Sequence, residues 1–486
     1  MFMSGRKYIV KLMVLALASM AVTFAASGQD PQEPQQQDAP APGKPKPAAR
    51  GIPSISDPDS TIEDQSRTPS WQPDDSPATG LQVPGLGAPE LAHSYWVPGL
   101  EYGSTIQSQP LGQQATSGWY ANNYVGGNLS LLESWGRSQL ALNYSGGGFF
   151  STSSQLNSGT FQQLSFGSGF NLGRWQIQLF DYFSYLPDSQ FGFANGTNLA
   201  LPGISGALGP TIASLGLGVL PSQSIYAAVG PRYSNAGVAQ ATYLFSPRSS
   251  ITAGGSYGLL HFTQSGNVDS DMSIGSIGYN YAVNRNDSIG VVYRFTGYHY
   301  AGEPQALGNH VVNFVYARKI SQRLAMSLSA GPQITTYRVP IGTQTQDISA
   351  SGGATLNYAI QRGGIGVSYF HGLSNGGGEL VGSNMDQVSS NFTHGLGRVW
   401  TLNANLGYSH NTQLPGLSNS QSFNDWYVGG GVSRPFGRNV DFAVSYSARF
   451  ESSNASTCTG PGCNTDYTQN LVSLSLQWHT RPFVLP

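Results

Sequence analysis

Eight short basic turns recur along this chain: WGRS at Arg137, LGRW at Arg174, SPRS at Arg248, VNRND at Arg285, SQRL at Arg323, IQRGG at Arg362, LGRV at Arg398 and FGRN at Arg438. Successive arginines lie 37, 74, 37, 38, 39, 36 and 40 residues apart. Between the turns, apolar and polar residues alternate. In RNVDFAVSYSARF, Val440, Phe442, Val444, Tyr446, Ala448 and Phe450 take every second position, with Asp441, Ala443, Ser445, Ser447 and Arg449 between them. Val472, Leu474, Leu476 and Trp478 repeat the pattern, as do Trp400, Leu402, Ala404, Leu406 and Tyr408, and Leu324, Met326, Leu328 and Ala330. Strand side chains point alternately to two faces, so each stretch reads as a strand between two different solvents. One period holds two strands and one longer loop, and ~10 to 14 residues per tilted strand cross a bilayer and its margins.

Composition decides which solvents these are. Only 10% of the 486 residues are Asp, Glu, Lys or Arg, against roughly a quarter in soluble domains. Glycine is abundant at 62 residues, aromatics make up 11%, and Ser, Asn, Gln and Thr replace the missing charge, leaving a mean hydropathy of -0.20. After the first 25 residues no apolar run approaches the ~18 that a spanning helix needs. A backbone in lipid must satisfy its N–H and C=O groups internally, so a polar, glycine-rich chain of strands can span only as a closed barrel. A soluble sandwich would break a chain this long into domains and put more charge outside. A propeller shares the ~40-residue period, but would show four short strands per period and a blade motif, and neither is visible.

Eight tight turns on one side imply nine hairpins and eighteen strands, with sixteen as the alternative. The last seventeen are readable from about Tyr124 to His479, and the first lies within Tyr95 to Gln109. One period is doubled, and the excess, residues 187–232, is apolar and full of Gly and Pro, which suits neither a solvated loop nor a clean strand. A long outer loop is expected there. The alternatives are a constriction or plug in the lumen, a cover over the outer mouth, or a further hairpin giving twenty strands.

The start of the chain places Arg6, Lys7 and Lys11 before an apolar run from Leu12 to Phe24 and then small residues, the order of a secretory signal peptide over residues 1–27. Residues 28–92 are rich in Pro, Gln and Ala and carry ten acidic against four basic residues. They read as a disordered tether, because they cannot bury enough apolar surface to offset the entropy of ordering. The barrel is assigned to 93–486. The two cysteines, Cys458 and Cys463 in CTGPGC, favour a disulfide in an exported protein, and two sulfurs without a nearby histidine fall short of a zinc site. The net charge of -2 gives no basis for nucleic-acid binding.

Parity names the candidate lumen residues. Arg294, Asp441 and Arg449 fall on the polar face, since a cation on the lipid face near the midplane costs ~2 to 4 kcal/mol. They are read either as a field that selects solutes or as structural pairs across the lumen. Asp181 breaks the pattern: it shares a face with Trp175, Ile177, Leu179 and Phe183, and is expected beyond the hydrocarbon edge or beside a bulge. Outward aromatics near strand ends, Trp400, Trp426, Tyr446, Phe450 and Trp478, are expected to form interfacial girdles. GGSYG, Gly254 to Gly258, matches the G-x-S-x-G elbow around Ser256, yet lies within an alternating strand where that strand-to-helix turn does not fit. The eight histidines show no metal or HExxH-like spacing. No catalytic, cofactor-binding or metal residue is therefore assigned.

On these strands and turns the chain resembles bacterial outer-membrane β-barrel proteins, in particular the porin-like barrels, including those associated with exopolysaccharide systems. The resemblance covers roughly Tyr95 to Pro486 and rests on pattern. It implies an outer-membrane protein without cofactor, embedded in lipid, inserted by the barrel assembly machinery and compatible with a homo-oligomer. Barrels of this kind commonly end on an aromatic residue, and here, in WHTRPFVLP, Trp478 or Phe483 would serve. The function expected is passive passage of small hydrophilic solutes or of a secreted glycan. The alternatives are a non-conducting structural or ligand-binding barrel whose tether contacts a periplasmic or peptidoglycan component, and, third, an outer-membrane hydrolase.

Overall fold

The computed structural model describes residues 94–108, 119–135, 137–152, 158–186, 232–263, 269–284, 286–301, 306–321, 323–338, 344–374, 382–397, 399–414, 422–437, 439–453, 467–481 and 483–484. The expected signal peptide, the tether, segment 187–231 and the pair Cys458 and Cys463 lie outside these described residues.

Eighteen long strands follow one another. They are β1 Tyr95–Ser108, β2 Trp119–Trp135, β3 Ser138–Ser151, β4 Gly159–Leu172, β5 Trp175–Leu186, β6 Arg232–Ser246, β7 Ser249–Phe262, β8 Ser270–Ala282 and β9 Asp287–Tyr300, then β10 Ala306–Lys319, β11 Leu324–Arg338, β12 Gln344–Ile360, β13 Gly363–Ser374, β14 Ser383–Leu396, β15 Trp400–Gln413, β16 Ser422–Phe436, β17 Val440–Ser453 and β18 Tyr467–His479. A two-residue β19, Phe483–Val484, comes last. Each long strand pairs antiparallel with its sequence neighbours, and β1 pairs with β18, so the sheet closes on itself. The eighteen strands expected from the turn count are those observed, including the first, which had little pattern of its own.

All eight basic turns join an even strand to the following odd one, and all longer connections join odd to even. Six of the turns use one of two chemical devices. Ahead of Arg174, Arg398 and Arg438 stand Gly173, Gly397 and Gly437 with φ of 67°, 70° and 70°, a left-handed backbone that glycine adopts without penalty. At the turns of Arg248, Arg285 and Arg323 a side chain caps the backbone. Ser246 Oγ accepts from the amides of Arg248 and Ser249 at 3.1 Å each. Asn284 Oδ1 accepts from Asn286 and Asp287 at 2.7 and 2.9 Å. Ser321 Oγ accepts from Arg323 and Leu324 at 3.2 and 3.1 Å. Such side-chain-to-backbone bonds are why Ser and Asn favour turns.

The two barrel faces separate as parity requires. On β17, Tyr446 and Phe450 are 47% and 44% exposed, whereas Ser447 and Arg449 are 3% and 1% exposed. The edge of the apolar band is drawn across β13 to β17, where Tyr369, Val388, Tyr408, Trp426 and Phe450 are successive cross-strand partners on the outer face. One pleat nearer the long loops lies a polar row, His371, Asp386, His410 and Asn424. The tyrosines reach into it: Tyr369 OH donates to Asp386 at 2.8 Å and Tyr408 OH to Asn424 at 3.0 Å. An apolar body with a polar tip suits a membrane interface. At the tight-turn end, the Arg434 guanidinium lies 5.2 Å from the Trp400 ring and 5.0 Å from that of Phe436. Tyr446 departs from the expected girdle, because it stands in mid-strand, where its OH donates to Asn470 at 2.7 Å.

No bulge interrupts β5 at Asp181, whose register with β4 and β6 is continuous. Its carboxylate accepts from Asn235 Nδ2 at 3.0 Å. It sits one pleat on the turn side of a row holding Asp271 and His299.

Candidate functional site: the barrel lumen

The inward positions are dominated by uncharged amides and hydroxyls, among them Gln107, Asn122, Gln163, Gln240, Asn309 and Gln333, all buried. Into this lining the strands place a small set of charges. Arg294 lies at mid-height on β9, on the inward side with Val292 and Thr296, while Tyr293 and Phe295 face out. Arg449 lies nearer the long loops on β17. Its Nη2 donates to Asp425 at 2.8 Å and to Glu451 at 3.0 Å, and its Nε to Asp425 at 3.2 Å. The pairing expected across the lumen is thus made within one wall, between β16 and β17. Asp441 sits at the tight-turn end, 3.4 Å from His479 Nε2. The three candidates stand at three heights and do not form one cluster.

Sequence reasoning left out the partners. Asp425 and Glu451 face each other across the hairpin whose turn carries Arg438, so counting back from that turn would have found them. Glu101, buried on β1, accepts from Ser145 Oγ. Parity adds Arg232 on β6, Lys319 on β10 and Asp347 on β12. Among the described residues, three of the four inward cations, Arg232, Arg294 and Lys319, therefore occupy β6 to β10, and four of the five inward carboxylates, Glu101, Asp425, Asp441 and Glu451, occupy β16, β17 and β1. In a ring of eighteen, β10 stands opposite β1 and β8 opposite β17. The lumen has a basic arc facing a mainly acidic one, with Asp347 outside both.

At the long-loop end the wall turns apolar. Met272, Tyr298, Tyr300, Leu307, Tyr337, Leu373 and Leu414 form one buried cluster. At its centre Gly382, with φ of 75°, leaves no room for a side chain: a Cβ there would stand 2.5 Å from Leu307 Cδ1, 3.3 Å from Leu414 Cδ1 and 3.6 Å from Tyr300 OH. Residues entering β14 and leaving β15 thus touch the ends of β9 and β10, and the mouth is bridged by apolar side chains.

Ser256 of the GGSYG segment lies in the continuous strand β7, with no elbow. Among the described residues no group of three or more His, Cys, Asp or Glu is arranged to hold a metal ion.

No family model and no curated protein matches the sequence. Solved structures similar to this one include Pseudomonas aeruginosa OpdQ, at 11% identity and a TM-score of 0.41 over 80% of this chain and 99% of that one. Acinetobacter baumannii OccAB1 stands at 10% and 0.41 over 79% and 96%, and the ferric citrate transporter FecA at 9% and 0.37 over 79% and 78%. At such identities and scores none of these proteins' activities transfers. On its own closure, turn chemistry and two-faced strands, the chain is an eighteen-strand antiparallel barrel of the bacterial outer-membrane type.

Proposed function

We propose that this protein is a passive outer-membrane channel for small hydrophilic solutes. The observation that carries the reading is the opposition of inward charges, basic on β6 to β10 and mainly acidic on β16, β17 and β1, within a lining of amides and hydroxyls. Outer-membrane lipid surrounds an apolar band that needs no such field. A polar lumen with facing arcs of opposite charge orients dipolar solutes and gives each ion a wall to follow. An eighteen-strand barrel encloses an aqueous lumen unless loops fill it. Arg294, Asp441 and Arg449 are assigned to that lining, and Trp478 or Phe483 to recognition by the barrel assembly machinery. A signal peptide over 1–27 and a disulfide between Cys458 and Cys463 belong to the same reading.

A second reading, a non-conducting barrel, is supported by the apolar contacts around Gly382 at the mouth. Single-channel recording of the purified chain in a planar bilayer separates the two. Stable steps in the full chain support the channel. Silence there, with steps after deletion of 195–222, means a plugged barrel, and silence in both removes the channel reading.

A further inference from the structure

Beneath the apolar cluster at the mouth lies a cavity of about 30 Å³, and Tyr298 and Leu373 belong to both. Its polar lining is Arg294, Thr296, Asn309, Asn313, Gln333 and Ser351, without an Asp or Glu. Two of the amide acceptors around it are already engaged. Asn309 Oδ1 receives the Thr335 hydroxyl at 3.3 Å, and Asn313 Oδ1 that of Ser351 at 2.9 Å. Their NH2 groups are left as donors. Gln333 Nε2, by contrast, makes only long contacts, 3.5 Å to Thr335 and 3.4 Å to Ser349. Among the described residues nothing forms an ion pair or hydrogen bond with the Arg294 guanidinium. This differs from Arg449, which holds two carboxylates.

A guanidinium beside amide donors, without a counter-charge and under an apolar roof, is short of an anion. Arg294 is half-buried; drawing an unpaired charge partly out of water is costly, and a bound anion offsets that cost while meeting the fork of donors that guanidinium presents. The space limits what the site itself can hold: about 30 Å³ exceeds the roughly 10 to 15 Å³ one water needs, so it admits a halide or the carboxylate head of a solute. We propose that Arg294, with Asn309 and Asn313, forms a binding site for a single small monoanion, supplied either as free halide or as the carboxylate of a solute in transit. The site deepens the channel reading and rests on it for its role, though not for its chemistry.

The test uses the full chain. Crystals soaked in sodium bromide, and others in sodium bromoacetate, are examined for anomalous bromine density, alongside reversal potentials of the reconstituted protein in a potassium chloride gradient. Bromide beside the guanidinium in the wild type and absent in Arg294→Gln is the expected result. Bromoacetate with its carboxylate in the same place identifies solute heads as ligands; bromide alone restricts the site to halide. The anion-to-cation permeability ratio should fall on the order of fifteenfold in Arg294→Gln, since one unit charge at ~5 Å in a water-like dielectric favours the anion about fourfold and disfavours the cation by the same factor, and recover in Arg294→Lys. Neither bromine probe at Arg294 in a wild-type barrel that conducts overturns the site. Bromide bound in a barrel that never conducts keeps the site and removes the channel. Asn309→Leu, which leaves Arg294 in place, should weaken the bromine density and guards against misfolding of the arginine variants.

Discussion

Replacing Arg449 by methionine should destabilise the barrel by about 3 to 5 kcal/mol. The guanidinium is 1% exposed, and the carboxylates of Asp425 and Glu451 that it holds at 2.8 and 3.0 Å are 0% and 2% exposed. At an effective dielectric of about 20 each such contact is worth about 5 kcal/mol of Coulomb attraction. Desolvation of three ions cancels most of that in the intact cluster, so the cluster as a whole adds little. Its removal by halves is what costs, because the thioether of Arg449→Met would leave two carboxylates buried side by side without a cation. The triple variant Arg449→Met, Asp425→Leu, Glu451→Leu should therefore recover most of the loss or exceed wild type. Urea unfolding of the protein folded into liposomes, followed by tryptophan fluorescence, measures both. A loss under about 1 kcal/mol in Arg449→Met is the value for a hydrated pair. It would refute the reasoning and mean that this part of the lumen is filled with water.

Leu474→Arg, placing a cation on the lipid face of β18, should cost ~2 to 4 kcal/mol in the same assay if that position is near the midplane. Gly437→Ala should cost about 1 kcal/mol, because only its φ of 70° objects and no atom lies within 4 Å. Gly363→Ala should cost roughly 3 kcal/mol or more and impair folding, because its Cβ would enter the Thr393 carbonyl. Gly382→Ala should push Leu307 aside and raise single-channel conductance; an unchanged conductance would show that the apolar bridge is not the narrowest point.

What the sequence disclosed and what it withheld follow from the range of the forces involved. Period-two alternation and the turn arginines are local, so strand number, hairpin order and the inward parity of Arg294 and Arg449 could be read directly. Of the partners of Arg449, Glu451 follows it by two residues on the same strand, and Asp425 lies across a hairpin and needed only the count back from Arg438. The apolar bridge was not legible: Gly382, Leu307 and Leu414 come together through the curvature and stagger of the closed sheet, which no single segment encodes. Tyr446 misled for a related reason, since an aromatic in mid-strand and one at a girdle look alike until the register fixes its height.

The closing seam is the junction of β1 with β18 and β19. Nine residue pairs join β1 to β18, from Gly99 and His479 to Gln107 and Leu471, whereas fourteen join β1 to β2. Phe483 and Val484 extend the seam to Trp96 and Tyr95, with the rings of Phe483 and Trp96 stacked at 4.9 Å. The Gln469 to Gln107 bond across it joins residues 362 apart in sequence. Every other pairing forms by folding back on a hairpin, but the second edge of β1 must wait for β18, at the far end of the barrel sequence. Until then it presents an open edge to any strand that will pair with it. The order of synthesis thus gives the barrel its one non-local step, and the time spent before that step is when the edge of β1 is open to mispairing.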